Sequence, residues 1–456
     1  MLFQSQLYVL IFLPAVVSLY YAMAGSAVRR QWVLIAASLF FYGWWDARFL
    51  FLPTAQVAAT WALALLHQRT GRRGLLVLGV AVNLASLGTF KYLDFVLASI
   101  EQATGIILPR ANLMLPIGIS FFSFQLISYL VDRMRGQAPI YPFRTFALFV
   151  LVYPHLIAGP IVRHNELVPQ FALDPRRPGL GQRIGTGLMI FTTGFAKKVL
   201  LADPLAKMVD PLFAQATSRA LDFGEAWSAV LGFSFQLFLD FSAYTEMAIG
   251  SALLFGLVLP ENFRRPYLAV DLRDFWRRWH ISLSNFLRDY LYIPLGGSRS
   301  GAARYVAATM VTMGLCGLWH GAGWTFVAWG LWHGLGLVAC RAWQQLKTPL
   351  PAIAGWALTM LFVLVGWVLF RAAGFAVAGS ILGSLMGRSG FGGAFQESEL
   401  LVAAALASAL VPSAHEIMRQ ALEPRPVLAF GAAALAVICV LAVGQGAPIN
   451  FIYFQF

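Results

Sequence analysis

Apolar runs close to the roughly 20 residues that cross a bilayer recur along the chain at 6–24, 31–45, 74–90, 146–161, 226–240, 305–318, 323–340, 352–370 and 427–443. Stretches 49–66 and 400–411 are further candidates. The pattern predicts an all-α polytopic membrane protein of about 10–12 helices, some too short to span and therefore re-entrant or enclosed by protein. The first run lacks a basic leader and a small-residue cleavage site before Arg29, so it reads as a retained helix. With no long linker and no fixed-period repeat, residues 1–456 read as one membrane domain.

One segment breaks the apolar rhythm: "DFWRRWHISLSNFLRDYLYIPLGG", residues 274–297. Stepping about 100° per residue from Phe275 gathers Trp276, Trp279, Leu283, Phe286, Leu287 and Tyr290 within about 120°, and sets Arg277, Arg278, Asn285 and Arg288 on the other side. This predicts one amphipathic helix lying in the membrane interface. Asp271 or Asp274 would cap it, and Pro294 with Gly296–Gly297 would end it. His280 falls at the edge of the aromatic face, at about 140°. An arginine-lined face suits an anionic donor, since guanidinium grips phosphate bidentately. Anchoring to lipid headgroups uses the same residues.

Composition agrees: 59% of the 456 residues are hydrophobic and 12% charged, against about 25% charged in soluble domains. The formal net charge of +13 gathers in short loops such as Arg29–Arg30 and Arg176–Arg177, the mark of cytoplasmic loops, and suggests an outside N-terminus. Nucleic-acid binding would need a soluble basic surface, and none is evident. The three cysteines lie in apolar runs, which argues against a disulfide framework and against a metal site.

Polar residues inside such runs are expensive, so they mark candidate sites, although pairing across helices is their commoner use. They concentrate at 115–133, at 233–250 and from Glu261 to Gly321. Of the seven histidines, His67, His164 and His415 lie near loops and read as surface residues, and His155 as a structural group at a helix contact. His280, His320 and His333 remain, and a neutral imidazole can accept a proton at pH 7. Cys316 shares a helical face with His320, but a buried cysteine is more often a small core residue than an activated nucleophile.

The stretches "ENFRRPYLAVDLRDFWRRWHISLSNFLRDYLYIPLGGSR" (261–299) and "GLWHGAGWTFVAWGLWHG" (317–334) resemble the bacterial branch of the membrane-bound O-acyltransferases, closest to alginate O-acetyltransferase membrane subunits. "LPIGISFFSFQLISYLVDR" (115–133), "LIAGPIVRH" (156–164) and "FIYFQF" (451–456) agree with it, while Ala243 and Glu246 stand where glycine and aspartate are more typical. The resemblance implies helices ringed around a thin centre, with a tunnel from a cytoplasmic donor funnel. It implies two catalytic histidines, His320 as general base and His280 at the acyl carbonyl or thioester. Arg277, Arg278, Asn285 and Arg288 are the donor-side candidates. The implied donor is acetyl-CoA, with no bound cofactor. The implied partner is a periplasmic SGNH-type acetyltransferase that modifies an exopolysaccharide such as alginate or cellulose at the bacterial inner membrane.

Rival readings are D-alanyl, lipid or peptidoglycan acylation within the same superfamily, and a transporter of acyl groups or anions without chemistry. Intramembrane histidine and arginine would serve transport too, but transport does not require the paired histidine motifs.

Overall fold

A chain in hydrocarbon must satisfy its main-chain polar groups within each segment, and helices do so. In the computed structural model, which describes residues 1–299, 301–420, 426–443 and 451–455, every regular element among the described residues is helical. Six of these helices are long and apolar enough to cross a membrane: Ala47–Thr70, Gly74–Thr104, Leu180–Gln215, Phe223–Leu254, Ala352–Arg371 and Pro426–Val443. Tyr8–Ala22, Phe375–Leu385 and Ser398–Leu410 are shorter apolar helices. Phe223–Leu254 is enclosed by protein throughout its apolar window, whereas Pro426–Val443 has almost no buried residue in it, so the first is core and the second has a lipid-facing surface. Phe456, the last residue of the terminal motif, lies outside the described residues.

The run at 146–161 departs from expectation. It forms the short helix Phe143–Leu151, leaves helical geometry at Val152 (ψ 118°), restarts as Tyr153–Leu156 and is irregular beyond it. Pro154 has no N–H with which to continue the first helix. A Cβ on Gly159 would lie 2.4 Å from His155 Cα, so the chain doubles back closely on itself. His155 is structural as expected, with Nδ1 3.0 Å from Gln125 Nε2 and Nε2 3.1 Å from the Phe149 carbonyl. His164 is not a surface residue. It is buried, with Nδ1 2.8 Å from the Tyr141 hydroxyl and Nε2 3.3 Å from the Asp132 carboxylate.

The chain divides into two compact units. One comprises Met1–Thr193, Tyr244–Pro260 and Ile417–Pro448, and the other Gly194–Ala243, Glu261–Glu416 and Ile449–Phe456. An aromatic cluster of Phe3, Tyr8, Phe41 and Tyr153 lies in the first. The second is organised by a helical hairpin, Ala302–His320 against Trp324–Gln345. A Cβ on Gly317 would lie 2.1 Å from the Phe326 carbonyl oxygen, and one on Gly330 would lie 2.1 Å from that of Met313. Glycine at both positions lets the two backbones touch, and "LWHGAGW" becomes the turn that joins them, with His320 as the last residue of the first helix.

Candidate active site

Asp271 caps the interfacial segment as expected, its carboxylate accepting from Asp274 N at 2.7 Å. The helix it starts, Leu272–Arg278, then stops. Trp279 is extended (φ −99°, ψ 127°), His280 is left-handed (φ 42°, ψ 54°), and a second helix runs from Ile281 to Leu287. The single continuous helix expected from periodicity is therefore two helices with His280 at the joint. A left-handed non-glycine residue costs about 1–2 kcal/mol, and the neighbouring segment supplies the restraint. Ile281 N donates to the Asn262 carbonyl at 2.9 Å, and Arg264 N donates to the Arg278 carbonyl at 2.9 Å.

This joint aims a fully buried imidazole. His280 Nδ1 lies 3.0 Å from Asn262 Oδ1. Ser282 N and Ser282 Oγ reach the same oxygen at 3.3 and 2.9 Å. A main-chain N–H can only donate, so that atom is the amide oxygen and His280 Nδ1 must carry the proton. Nε2 is then a lone pair, enclosed and without a hydrogen-bond partner among the described residues. Burial pushes this imidazole down to about 3, which keeps it neutral. In this tautomer Nε2 of His280 can accept a hydrogen bond and has no proton to donate.

His320 is also buried, between Trp329 and Phe370, with ring centroids at 5.0 and 5.4 Å. Its centroid is 6.4 Å from that of His280, so residues 40 apart in the chain meet at one place. The hydroxyl of Tyr453, from the terminal motif, lies 2.9 Å from His320 Nδ1. The segment that carries Tyr453 is held one residue earlier, where Ile452 N donates to Asp240 Oδ2 at 2.8 Å. The other oxygen of Asp240 lies 2.9 Å from Lys198 Nζ, which also pairs with Asp203 at 2.7 Å. Cys316 is buried on the His320 helix.

A cavity of about 710 Å³ in the same unit is lined by Arg273, Arg277, Asn285, Arg288, Tyr305 and Arg341, among others. Thr309, Thr312 and Met313 also line it. Thr312 and His320 are eight residues apart on one helix face, roughly 12 Å of rise, so this wall leads from the arginines toward His320. Arg277 has no partner among the described residues, and Arg288 pairs with Asp289 at 2.6 Å. Arg278 does not line the cavity, because its Nε is turned to Asp274, four residues back, at 2.9 Å. Arg273 hydrogen-bonds Gln344, and Arg341 stacks over Tyr305 at 3.9 Å. Sequence reasoning missed Arg273, Arg341, Asn262 and Tyr453 as site residues. Arg273, Asn262 and Tyr453 stood in motifs singled out for resemblance, but only tertiary contacts reveal what they touch.

Paired buried histidines, one on a hydroxyl, beside an arginine-lined cavity can support acyl transfer. The family model for membrane-bound O-acyltransferases matches residues 7–379, most of the chain and both histidines. The chain belongs to the membrane-bound O-acyltransferase family. This O-acyltransferase is a multi-pass membrane enzyme. It is 39% identical over 428 residues to a peptidoglycan O-acetyltransferase of Helicobacter pylori, covering 86% of this chain and 80% of the relative. It is 39% identical over 396 residues to a probable alginate O-acetylase AlgI of Pseudomonas aeruginosa, covering 83% and 73%. A teichoic acid D-alanyltransferase of Streptococcus thermophilus is 30% identical over 242 residues, 51% of this chain and 58% of the relative.

Proposed function

We propose that this O-acyltransferase takes an acetyl group from cytoplasmic acetyl-CoA and supplies it for O-acetylation of a secreted polysaccharide such as alginate or cellulose. The contact between His320 Nδ1 and the Tyr453 hydroxyl carries this reading, because it pairs an imidazole with a hydroxyl that can accept an acyl group. The Tyr453 oxygen attacks the thioester carbonyl, the C–S bond breaks and an O-acetyl bond forms. The phenolic proton passes to His320 Nδ1 and then to the departing thiolate, so free CoA thiol and acetyl-tyrosine result. General-base assistance of this kind is worth about 10²–10⁴ in rate.

Phenol ionises near about pH 10 and thiol near about 8.5, so an aryl ester retains much of the transfer potential of a thioester. A sugar hydroxyl, presented directly or by a periplasmic SGNH-type acetyltransferase, can therefore collect the group in a second transfer. His280 Nε2, as an acceptor, fits an amide N–H or the emerging thiol of the donor. Arg277, Arg288, Arg273 and Arg341 fit its phosphates, with Asn285 beside them; Arg278 is left to Asp274. Relatives named for alginate and for peptidoglycan support a sugar hydroxyl as final acceptor.

The test uses purified enzyme in nanodiscs with acetyl-labelled acetyl-CoA. Label is expected on the peptide that contains Tyr453, and it is lost in Tyr453→Phe and in His320→Ala although both insert at normal levels. Wild-type acetylation by Tyr453→Phe would remove the carrier step, and by His320→Ala the base.

A further inference from the structure

Arg30 lies in the first turn of the Ala27–Gly43 helix, whose cap is Ser26, and is only 2% exposed. Its Nε and Nη1 are enclosed and have no acceptor among the described residues. The guanidinium lies over the Tyr20 ring, 5.6 Å from the centroid. Two other arginines of the same compact unit come to this place. Arg177 donates to the Gly256 and Asp174 carbonyls at 2.9 and 3.2 Å. Arg183 donates to the Pro178, Arg177 and Pro175 carbonyls at 2.6, 2.8 and 3.0 Å. These acceptors are all main-chain oxygens, which hold the side chains without neutralising them. The carboxylate of Asp174 pairs with Arg176 at 3.3 Å and acts on Arg30 through space, without a hydrogen bond to it. Tyr20 and Tyr21, at the end of the Leu13–Ala22 helix, donate to the Phe255 and Leu254 carbonyls at 3.2 and 2.9 Å, next to the Gly256 carbonyl that holds Arg177.

A buried guanidinium without a counter-ion is strongly unfavourable, and a ring face compensates only part of it. Arg177 and Arg183 beside it are only half-buried, so it is the enclosed Nε and Nη1 of Arg30 that call for an acceptor no described side chain supplies. Arginine forks match phosphate oxygens bidentately. Beside the cluster, on the two helices that flank it, Leu19, Val28 and Trp32 are 49%, 46% and 52% exposed. Those side chains offer acyl tails a surface, and an exposed tryptophan at a helix end suits headgroup level.

We propose that Arg30, Arg177 and Arg183 form a binding site for the phosphodiester of a membrane phospholipid, in the unit that does not carry the catalytic histidines. The test is a reversal in the order of two melting temperatures. In phosphate-free neutral detergent, Arg30→Met is expected to melt at or above the wild-type protein, because it deletes an unpaired buried charge. Phosphatidylglycerol is then expected to raise the wild-type temperature by several degrees and that of Arg30→Met by less than half as much, so that the wild-type protein becomes the more stable. Native mass spectrometry should find phosphatidylglycerol retained by the wild-type protein and lost from Arg177→Gln, a variant that leaves the buried position intact. Equal shifts in wild type and Arg30→Met, or equal retention in Arg177→Gln, overturn the site. A shift of the same size with inorganic phosphate alone overturns the lipid assignment in favour of a free anion.

Discussion

At His280 a left-handed backbone and a buried polar ring occur in the same residue, and both are held by Asn262: its carbonyl takes Ile281 N and its amide oxygen takes the imidazole proton. Removing that oxygen frees the tautomer and leaves a buried donor unpaired, a loss of about 1–3 kcal/mol, or roughly 10–100-fold in rate. Asn262→Leu is therefore expected to slow acetyl transfer by that factor, and Asn262→Asp, which keeps an acceptor, by much less. Equal rates in the two variants would sink the tautomer argument. Because burial holds His280 near about 3, it stays neutral through the working range. The stability contributed by its neutral, paired form is lost only as pH falls toward its ordinary pKa and below.

The adjacent arginines make a sharper pair. Arg277 lines the cavity and Arg278 is turned to Asp274. Loss of a charge-assisted contact to a donor phosphate is worth about 1.5–3 kcal/mol, so Arg277→Ala should raise the KM for acetyl-CoA roughly tenfold or more with little change in kcat. Arg278→Ala should leave KM within about twofold, as expected for a half-buried i,i+4 pair that does not line the cavity. Similar KM values for both variants would return these arginines to lipid anchoring.

Among the elements, the short Ile452–Gln455 turn depends on a charged anchor. Asp240 accepts from Ile452 N while sharing Lys198 with Asp203, so two carboxylates compete for one ammonium in a buried place. Breaking a buried pair is costly when it strands a charge, but in Asp240→Asn Lys198 keeps Asp203. That variant should still fold and bind donor with an unchanged KM, and lose most of its kcat because Tyr453 is no longer fixed on His320. A rise in KM with kcat intact would show that the anchor serves the donor cavity instead.

This scale also shows where sequence patterns stop. The Asp271 cap, the apolar helices and the glycine-lined turn at His320 follow from local chemistry, and the structure has them. The break at Trp279–His280 does not, because the projection of Phe275, Trp279, Leu283 and Leu287 suits one helix or two equally well. What interrupts the helix is a hydrogen bond to Asn262, 19 residues before Ile281. The burial of His164 by Asp132 and Tyr141 has the same non-local origin.

For the whole molecule, the arginine-lined cavity is built from residues between 273 and 345, whereas the hydroxyl on His320 arrives from residue 453. The separation of 133 residues explains why no window along the chain revealed that contact. It also orders events during synthesis. A ribosome that has passed residue 345 but not residue 453 holds a chain with the arginine-lined cavity and both histidines already specified, yet without Tyr453. On the proposed mechanism such a chain lacks the phenol to be loaded until the terminal segment docks at Asp240. Removing residues from Phe451 onward should accordingly give an inserted protein that retains acetyl-CoA binding and transfers no label, and a synthetic peptide with the sequence FIYFQF supplied in trans should restore some of it.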